Sequence, residues 1–263
     1  MENIKESLRP KVNYKELNFA SNLHYQEHLA RYKFCEDFIK DKVVLDLGCS
    51  RRDGPFLLGE EANYTIGIDR NFQDIKFANN NFARENIKYL VSDGTQLCFK
   101  DNSFDVVVCL EVIEHLNKQN ELLSQIKRVL KPEGICIIST PNKRMCEIYG
   151  TIAGKGHVKE LDYQEFKALL GEFFKEVELY GQIRGKGVTG STYLIQRIIR
   201  VVDFLNLRSI FSNSIKIKVS KRIAKSTGAK EIKNIGYKNF PISNKRIELA
   251  RNIIAVCRKQ RHG

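Results

Sequence analysis

Lys42-Val-Val-Leu-Asp-Leu-Gly-Cys-Ser50 decides how this chain is read. It is a short apolar run closed at once by a glycine, the pattern of a buried strand ending in a tight turn. Gly48 lets the backbone turn sharply and come close to a ligand. The same unit recurs downstream. Tyr64-Thr-Ile-Gly-Ile68 reads as a second strand ending at Asp69, and Ile87-Lys-Tyr-Leu-Val91 as a third followed by Asp93. Phe104-Asp-Val-Val-Val-Cys-Leu110 is a fourth, followed by Glu111, and Ile135-Cys-Ile-Ile-Ser139 a fifth, followed by Thr140-Pro141-Asn142. Helical stretches lie between them, most clearly from Asn120 to Leu130, where Lys131-Pro132-Glu133-Gly134 supplies a stop. Strands alternating with helices imply an α/β chain with a doubly wound, mostly parallel sheet covered on both faces.

The flanks are assigned by the same rules. Residues 23–40 place Leu29, Tyr32, Phe34 and Phe38 at helical spacing. That helix carries His28, Arg31 and Tyr32, and it either covers a ligand or lies on the surface with its aromatics in the core. Leu161 to Phe174 is a further amphipathic helix, and Glu176 to Tyr180 a late strand. The expected divisions are a partly disordered segment 1–22, a domain 23–180, and a basic, largely helical extension 181–263.

With 263 residues, 42% hydrophobic and 29% charged, the chain can bury a core. The seven cysteines are odd in number, form no CxxC pair, and several sit in apolar runs. They read as small buried hydrophobes, not as a disulfide framework or zinc site. The first residues, MENIKESLRPK, lack a signal-peptide core, and no apolar run nears the ~20 residues that span a bilayer. A cytoplasmic location is therefore expected.

In an open α/β sheet, ligands bind at the carboxyl ends of the strands. Those ends supply Gly48, Asp69, Asp93 and Glu111. Asp69 follows Asp46 by 23 residues, the distance expected for an acid that bonds a ribose diol. Asp93-Gly94 stands where an adenine amino group is met.

Taken together, Val44-Leu-Asp-Leu-Gly-Cys-Ser50, Gly67-Ile-Asp69, Asn102-Ser-Phe-Asp-Val-Val-Val108, Glu111-Val-Ile-Glu-His-Leu116 and Leu130-Lys-Pro-Glu-Gly134 resemble class I S-adenosylmethionine-dependent methyltransferases. The nearest group is type 11-like, containing ubiquinone/menaquinone-type and glycan-cluster-associated enzymes, and the resemblance covers roughly residues 24–180. It implies a Rossmann-like, seven-stranded sheet with the last strand antiparallel. It implies S-adenosyl-L-methionine as co-substrate, with Asp69 on the ribose hydroxyls and Asp93 at the adenine. The full expected cofactor set is Asp46, Gly48, Cys49, Ser50, Asp69, Arg70, Asp93, Gly94, Thr95, Leu110 and Glu111. Ser50 departs from the family, which usually has a second glycine there. A dinucleotide-binding oxidoreductase is disfavoured because the G-x-G-x-x-G fingerprint is absent.

A sulfonium methyl is already electrophilic, so the protein must align a nucleophile and exclude water. If the nucleophile is a hydroxyl, a base helps. Glu111, Glu114 and His115 lie at i, i+3 and i+4, on one face if the segment is helical. His157 follows in Gly156-His157-Val-Lys-Glu160, a second resemblance to the family. The expected catalytic residues are His115, Glu111 and His157. Glu111, Glu114, His115 and His157 are also a candidate site for a divalent cation such as Mg, which would clamp acceptor hydroxyls. The other readings are a metal-free histidine base, or helix-start residues packed beside the cofactor.

From Gly181 onward, 19 Lys and Arg face three acids, a net of +16 that leaves −3 for the residues before it. Leu194, Ile198, Val201, Val202 and Leu205 follow helical spacing, with Lys216, Lys218, Lys221, Arg222 and Lys225 close behind. A basic amphipathic helix suits peripheral contact with an anionic membrane surface, for which co-sedimentation with liposomes is the test. A solvated face packed on the domain is the competing reading, and nucleic acid is third because stacking aromatics are sparse. The expected function is O-methylation of a small-molecule, glycan or lipid-linked acceptor. The alternatives are RNA methylation, or a non-catalytic cofactor-binding protein whose tail is a binding module.

Overall fold

The computed structural model describes residues 19–148, 156–185, 188 and 235–259, with side chains from residue 23. The described residues divide into two compact units, one within 31–182 and 242–259, the other within 19–30 and 183–241.

In the first unit the strands are β1 (Val43–Leu47), β2 (Tyr64–Asp69), β3 (Ile87–Val91), β4 (Phe104–Leu110), β5 (Leu130–Pro141), β6 (Glu176–Gln182), β7 (Ile242–Ser243) and β8 (Asn252–Arg258). The helices are α1 (Phe19–Ile39, shared with the second unit), α2 (Gly54–Leu58), α3 (Phe72–Phe82), α4 (Gln119–Val129), α5 (Lys143–Ile148) and α6 (Tyr163–Gly171). Among the described residues the strands form one sheet in the order β3-β2-β1-β4-β5-β8-β6-β7. β1 to β5 are mutually parallel, and β8 runs antiparallel to both β5 and β6.

The period of two along each strand builds three layers. In β4, Val107 and Cys109 join one core cluster with α4 (Leu122, Leu123, Ile126) and α6 (Phe166, Leu170). Val106, Val108 and Leu110 join the opposite cluster, with Tyr32, Cys35 and Ile39 of α1. Central strands buried on both faces read as unbroken apolar runs, which is why these were legible. Helix starts are equally local. Asn71 caps α3 by accepting from the amides of Gln73 and Asp74, and Asp162 with Glu165 forms a capping box at α6.

Two expectations need correction. The Pro-x-Gly stop does end α4 at Val129, but Leu130 already pairs with Phe104 in β5. The register then jumps to Val106↔Ile135, so residues 131–134 are a bulge within the strand. The domain also does not end at residue 180. Ile253-Ile-Ala-Val-Cys257, assigned above to the basic extension, lies within β8 between β5 and β6 and is wholly buried. The seven-stranded sheet with one antiparallel strand is thus present, with the two-residue β7 added at the edge. Five of the seven cysteines are buried, and Cys98 is exposed.

In the second unit, Leu23, Ala30, Val188, Ile235 and Phe240 form a small apolar cluster. The amide of Gly185 donates to the Asn239 carbonyl at 2.8 Å. The basic stretch 191–225 lies outside the described residues. Among the described residues no helix is long and apolar enough to cross a membrane.

Candidate active site

The loop after β1 is fastened to the end of β2, since the amides of Gly48 and Cys49 both donate to the Ile68 carbonyl, at 2.8 and 3.0 Å. Gly48 has φ +79, and a Cβ there would lie 2.4 Å from Val112 Cγ2, so only glycine fits. Ser50, at φ +51, adopts the left-handed conformation that a glycine takes freely. Its amide donates to Asp69 Oδ2 at 3.0 Å and its hydroxyl to Asp74 Oδ2 at 3.2 Å, bonds that hold the serine in that conformation. The departure from the family's glycine is thereby accommodated.

Asp69 is the hinge of this corner. Its second oxygen accepts from the Asn71 amide at 2.9 Å. Two amides leave a carboxylate with lone pairs to spare, so it can still accept from the two hydroxyls of a ribose. Asp93 Oδ1 accepts from both the amide and the hydroxyl of Thr95, at 2.8 and 2.7 Å, and these bonds hold its carboxyl below its usual pKa. An ionised acceptor with a remaining oxygen fits an adenine amino group. Arg70 is exposed, Leu110 is buried, and Gly94 packs against Leu47 and Leu122. Phe72, 59% exposed just beyond Asp69, adds an aromatic ring that the motif reading did not select.

Asp46 is buried, and its Oδ2 accepts from the Tyr32 hydroxyl at 3.0 Å. Gly54 closes this pair from the other side, since a Cβ there would meet Tyr32 Oη at 2.2 Å and Asp46 Oδ2 at 2.6 Å. Tyr32 on α1 thus serves the core and the end of β1 together. Burial pushes the Asp46 carboxyl up to about 7, the Tyr32 bond opposes this, and the charge of Asp69 adds to it. An acid whose folded pKa exceeds its unfolded value of about 4 favours the fold most at low pH. That contribution is full below about pH 4 and is lost as the pH rises through about 7. Asp46→Asn is expected to flatten the decline in melting temperature across this window. Parallel pH profiles for the two proteins would contradict it.

Beyond β4 the chain does not continue as a helical turn. Glu111 has φ +58, and a 3-10 turn follows at Ile113–His115. The three residues therefore do not share one helical face as their spacing suggested. Glu111 Oε1 accepts from Ser139 Oγ at 2.7 Å, and Oε2 accepts from Asn252 Nδ2 of β8 at 3.1 Å. Ser139 Oγ also accepts from the Glu111 amide at 3.2 Å. This closed set holds a strained backbone, a condition that recurs at functional sites. It also takes Glu111 away from the candidate metal and base cluster.

The other three candidates do come together. One donor atom each of Glu114, His115 and His157 lies within 4.8 Å of the others. The two imidazoles meet edge to face, with centroids 4.8 Å apart. The loop carrying His157 is pinned by the amides of Val158 and Lys159, which both donate to the Glu114 carbonyl. Gln119 Nε2 ties the same loop to the 3-10 turn, donating to the carbonyls of Ile113 and Lys159. Glu114 is 1% exposed; its Oε2 accepts from Thr140 Oγ1 at 3.4 Å, and its Oε1 has no partner among the described residues. Burial first, and then the charge of Glu111, raise its pKa well above the carboxylate range.

Comparison with known proteins follows the same lines. Residues 45–138 match the family model described as a methyltransferase domain. A probable S-adenosylmethionine-dependent methyltransferase of Mycolicibacterium smegmatis is 30% identical over 169 residues, 64% of this chain and 65% of that protein. A ubiquinone biosynthesis O-methyltransferase of Rickettsia bellii is 31% identical over 156 residues, 57% of this chain and 62% of that protein. The chain thus spans less than two thirds of either relative. The crystal structure of a methyltransferase from Archaeoglobus fulgidus superposes with a TM-score of 0.56 at 19% identity, covering 90% of this chain and 94% of that one, a likeness of fold.

Proposed function

Because the chain carries a class I S-adenosylmethionine-dependent methyltransferase domain, we infer that the protein is a working O-methyltransferase acting on a hydroxyl of a small-molecule, glycan or lipid-linked acceptor. The observation that carries the reading is Asp69, held at the end of β2 by the amides of Ser50 and Asn71 with acceptor capacity left for a nucleoside diol. S-adenosylmethionine supplies an electrophilic methyl, and the chain's residues supply the rest. Gly48 and Val112 shape a close backbone approach. The Glu114–His115–His157 cluster lies beyond β4, and an imidazole nitrogen there takes the proton of the acceptor hydroxyl as its oxygen bonds the methyl carbon. The methyl carbon–sulfur bond breaks in the same displacement. The likeness to a ubiquinone biosynthesis O-methyltransferase supports an oxygen nucleophile. A divalent cation at the same cluster is the finer form of this mechanism. The basic stretch 191–225 is proposed, from its sequence, to bring the domain to an anionic membrane surface.

The cofactor part is tested by calorimetry with S-adenosylhomocysteine. The wild type should bind it. Asp69→Ala should bind about 5- to 150-fold more weakly, the ~1–3 kcal/mol of a lost charged hydrogen-bond pair. A wild-type protein that releases no heat and shows no thermal shift would remove the methyltransferase reading altogether.

A further inference from the structure

The carboxyl ends of the parallel strands carry Gly48, Asp69 and Asp93. At the opposite, amino ends lies a cavity of about 460 Å³, within the size range of a small-ligand site. The bulge in β5 builds one wall of it. Residues 131–134 have no place in the ladder between Leu130 and Ile135, and Lys131, Pro132 and Glu133 line the cavity instead. Val106 of β4, Ile135 of β5 and Phe38 near the end of α1 supply an apolar lining. The Phe38 ring is steadied by Phe34, with centroids 5.5 Å apart. Asp41 takes the left-handed conformation, φ +58, in the turn from α1 to β1, and Lys42 follows it at the cavity.

The charged groups of the lining are not equivalent. Asp105 is satisfied within the protein, since its Oδ1 accepts from Lys131 Nζ at 2.8 Å and its Oδ2 from the Val43 amide at 2.9 Å. Glu133 has an interaction of its own. Lys42 is exposed, and among the described residues its ammonium makes no ion pair or hydrogen bond; it acts on Asp105 only through its charge. The Lys131 ammonium has further donors beyond the one that Asp105 accepts. An apolar surface beside one unanswered cation suits a ligand with a hydrophobic body and a single anionic group.

We infer that this cavity binds an aromatic carboxylate, its ring against Phe38, Val106 and Ile135 and its carboxylate on Lys42. The site is separate from the nucleoside corner. β1, the five residues Val43–Leu47, runs from the cavity to Gly48, a distance of roughly 16 Å at about 3.3 Å per residue. The inference therefore does not rest on the methyl-transfer reading.

The probe is 2-naphthoate, titrated into the full chain by calorimetry. The controls are 2-naphthalenemethanol, which keeps the ring without the charge, and acetate, which keeps the charge without the ring. One 2-naphthoate per chain is expected, at least 10-fold tighter than the alcohol, with no measurable heat from acetate. Lys42→Ala should weaken 2-naphthoate about 10-fold, the loss of one charge-assisted contact, and leave the alcohol unchanged. Ile135→Trp should fill the cavity and weaken both ring compounds; should it fail to fold, Lys42→Ala still decides. No binding of 2-naphthoate, equal binding of the alcohol, or unchanged affinity in Lys42→Ala would each overturn the site. Displacement of 2-naphthoate by S-adenosylhomocysteine would place it at the nucleoside corner and overturn the site as well. Unchanged 2-naphthoate affinity in its presence supports the cavity at the amino ends. Failure of S-adenosylhomocysteine itself to bind removes only the methyltransferase.

Discussion

A chain ended at residue 241 is expected not to fold. The truncation removes β8, which pairs along its whole length with β5 on one side and β6 on the other. Ile253, Ile254, Ala255, Val256 and Cys257 are all buried, three of them in the α4 and α6 face of the core and Ile254 in the α1 face. Burying each larger side chain contributes roughly 1.5–3 kcal/mol, so the loss approaches the 5–15 kcal/mol that holds an average domain together. β6 would also lose both of its ladders in the described structure, the long one with β8 and the two-residue pairing with β7. The measurement is a thermal melt by circular dichroism of the full and shortened chains. A cooperative transition within a few degrees of the full chain would show that residues 242–263 are an appendage after all. The milder change Ile254→Ala keeps the ladder and should cost about 2–5 kcal/mol.

The double variant His115→Ala/His157→Ala is expected to lower methyl transfer to acceptor by about 10²- to 10⁴-fold, the range for a lost proton-transfer group. Transfer is measured with labelled S-adenosylmethionine into the glycan and lipid fractions of a cell extract. The affinity for S-adenosylhomocysteine should stay within a few-fold, because the groups proposed to hold the nucleoside, Asp69 and Asp93, lie on other loops. Each single variant should lose little, and the double variant more than the product of the two single losses, since one imidazole can take over part of the other's role at an edge-to-face distance of 4.8 Å. Full activity in the double variant would exclude the cluster as the place where the acceptor is activated. Loss of nucleoside binding instead would make these residues part of the cofactor site.

Local pattern alone determined much of this protein. The strands over 43–47 and 104–110 stood out because central parallel strands are buried on both faces, leaving mainly apolar runs, and those over 64–69 and 87–91 by their apolar residues; Gly48, Asp69, Asp93 and Glu111 follow or close the four. The carboxyl-end rule then placed the acids at one edge of the sheet without any knowledge of contacts. What only the tertiary structure decided was partnership and the sign of a dihedral. The run Ile253–Cys257 is as apolar as any other strand, yet nothing in its period says that it inserts between β5 and β6, more than a hundred residues earlier and seventy residues earlier in the chain. Periodicity records which side chains are buried, not against what. The spacing of Glu111, Glu114 and His115 promised one helical face, but Glu111 has a positive φ that no side-chain pattern announces at a non-glycine residue. That turn leaves Glu111 to Ser139 and Asn252, and it leaves Glu114 and His115 to meet His157, a residue brought near by loop hydrogen bonds alone.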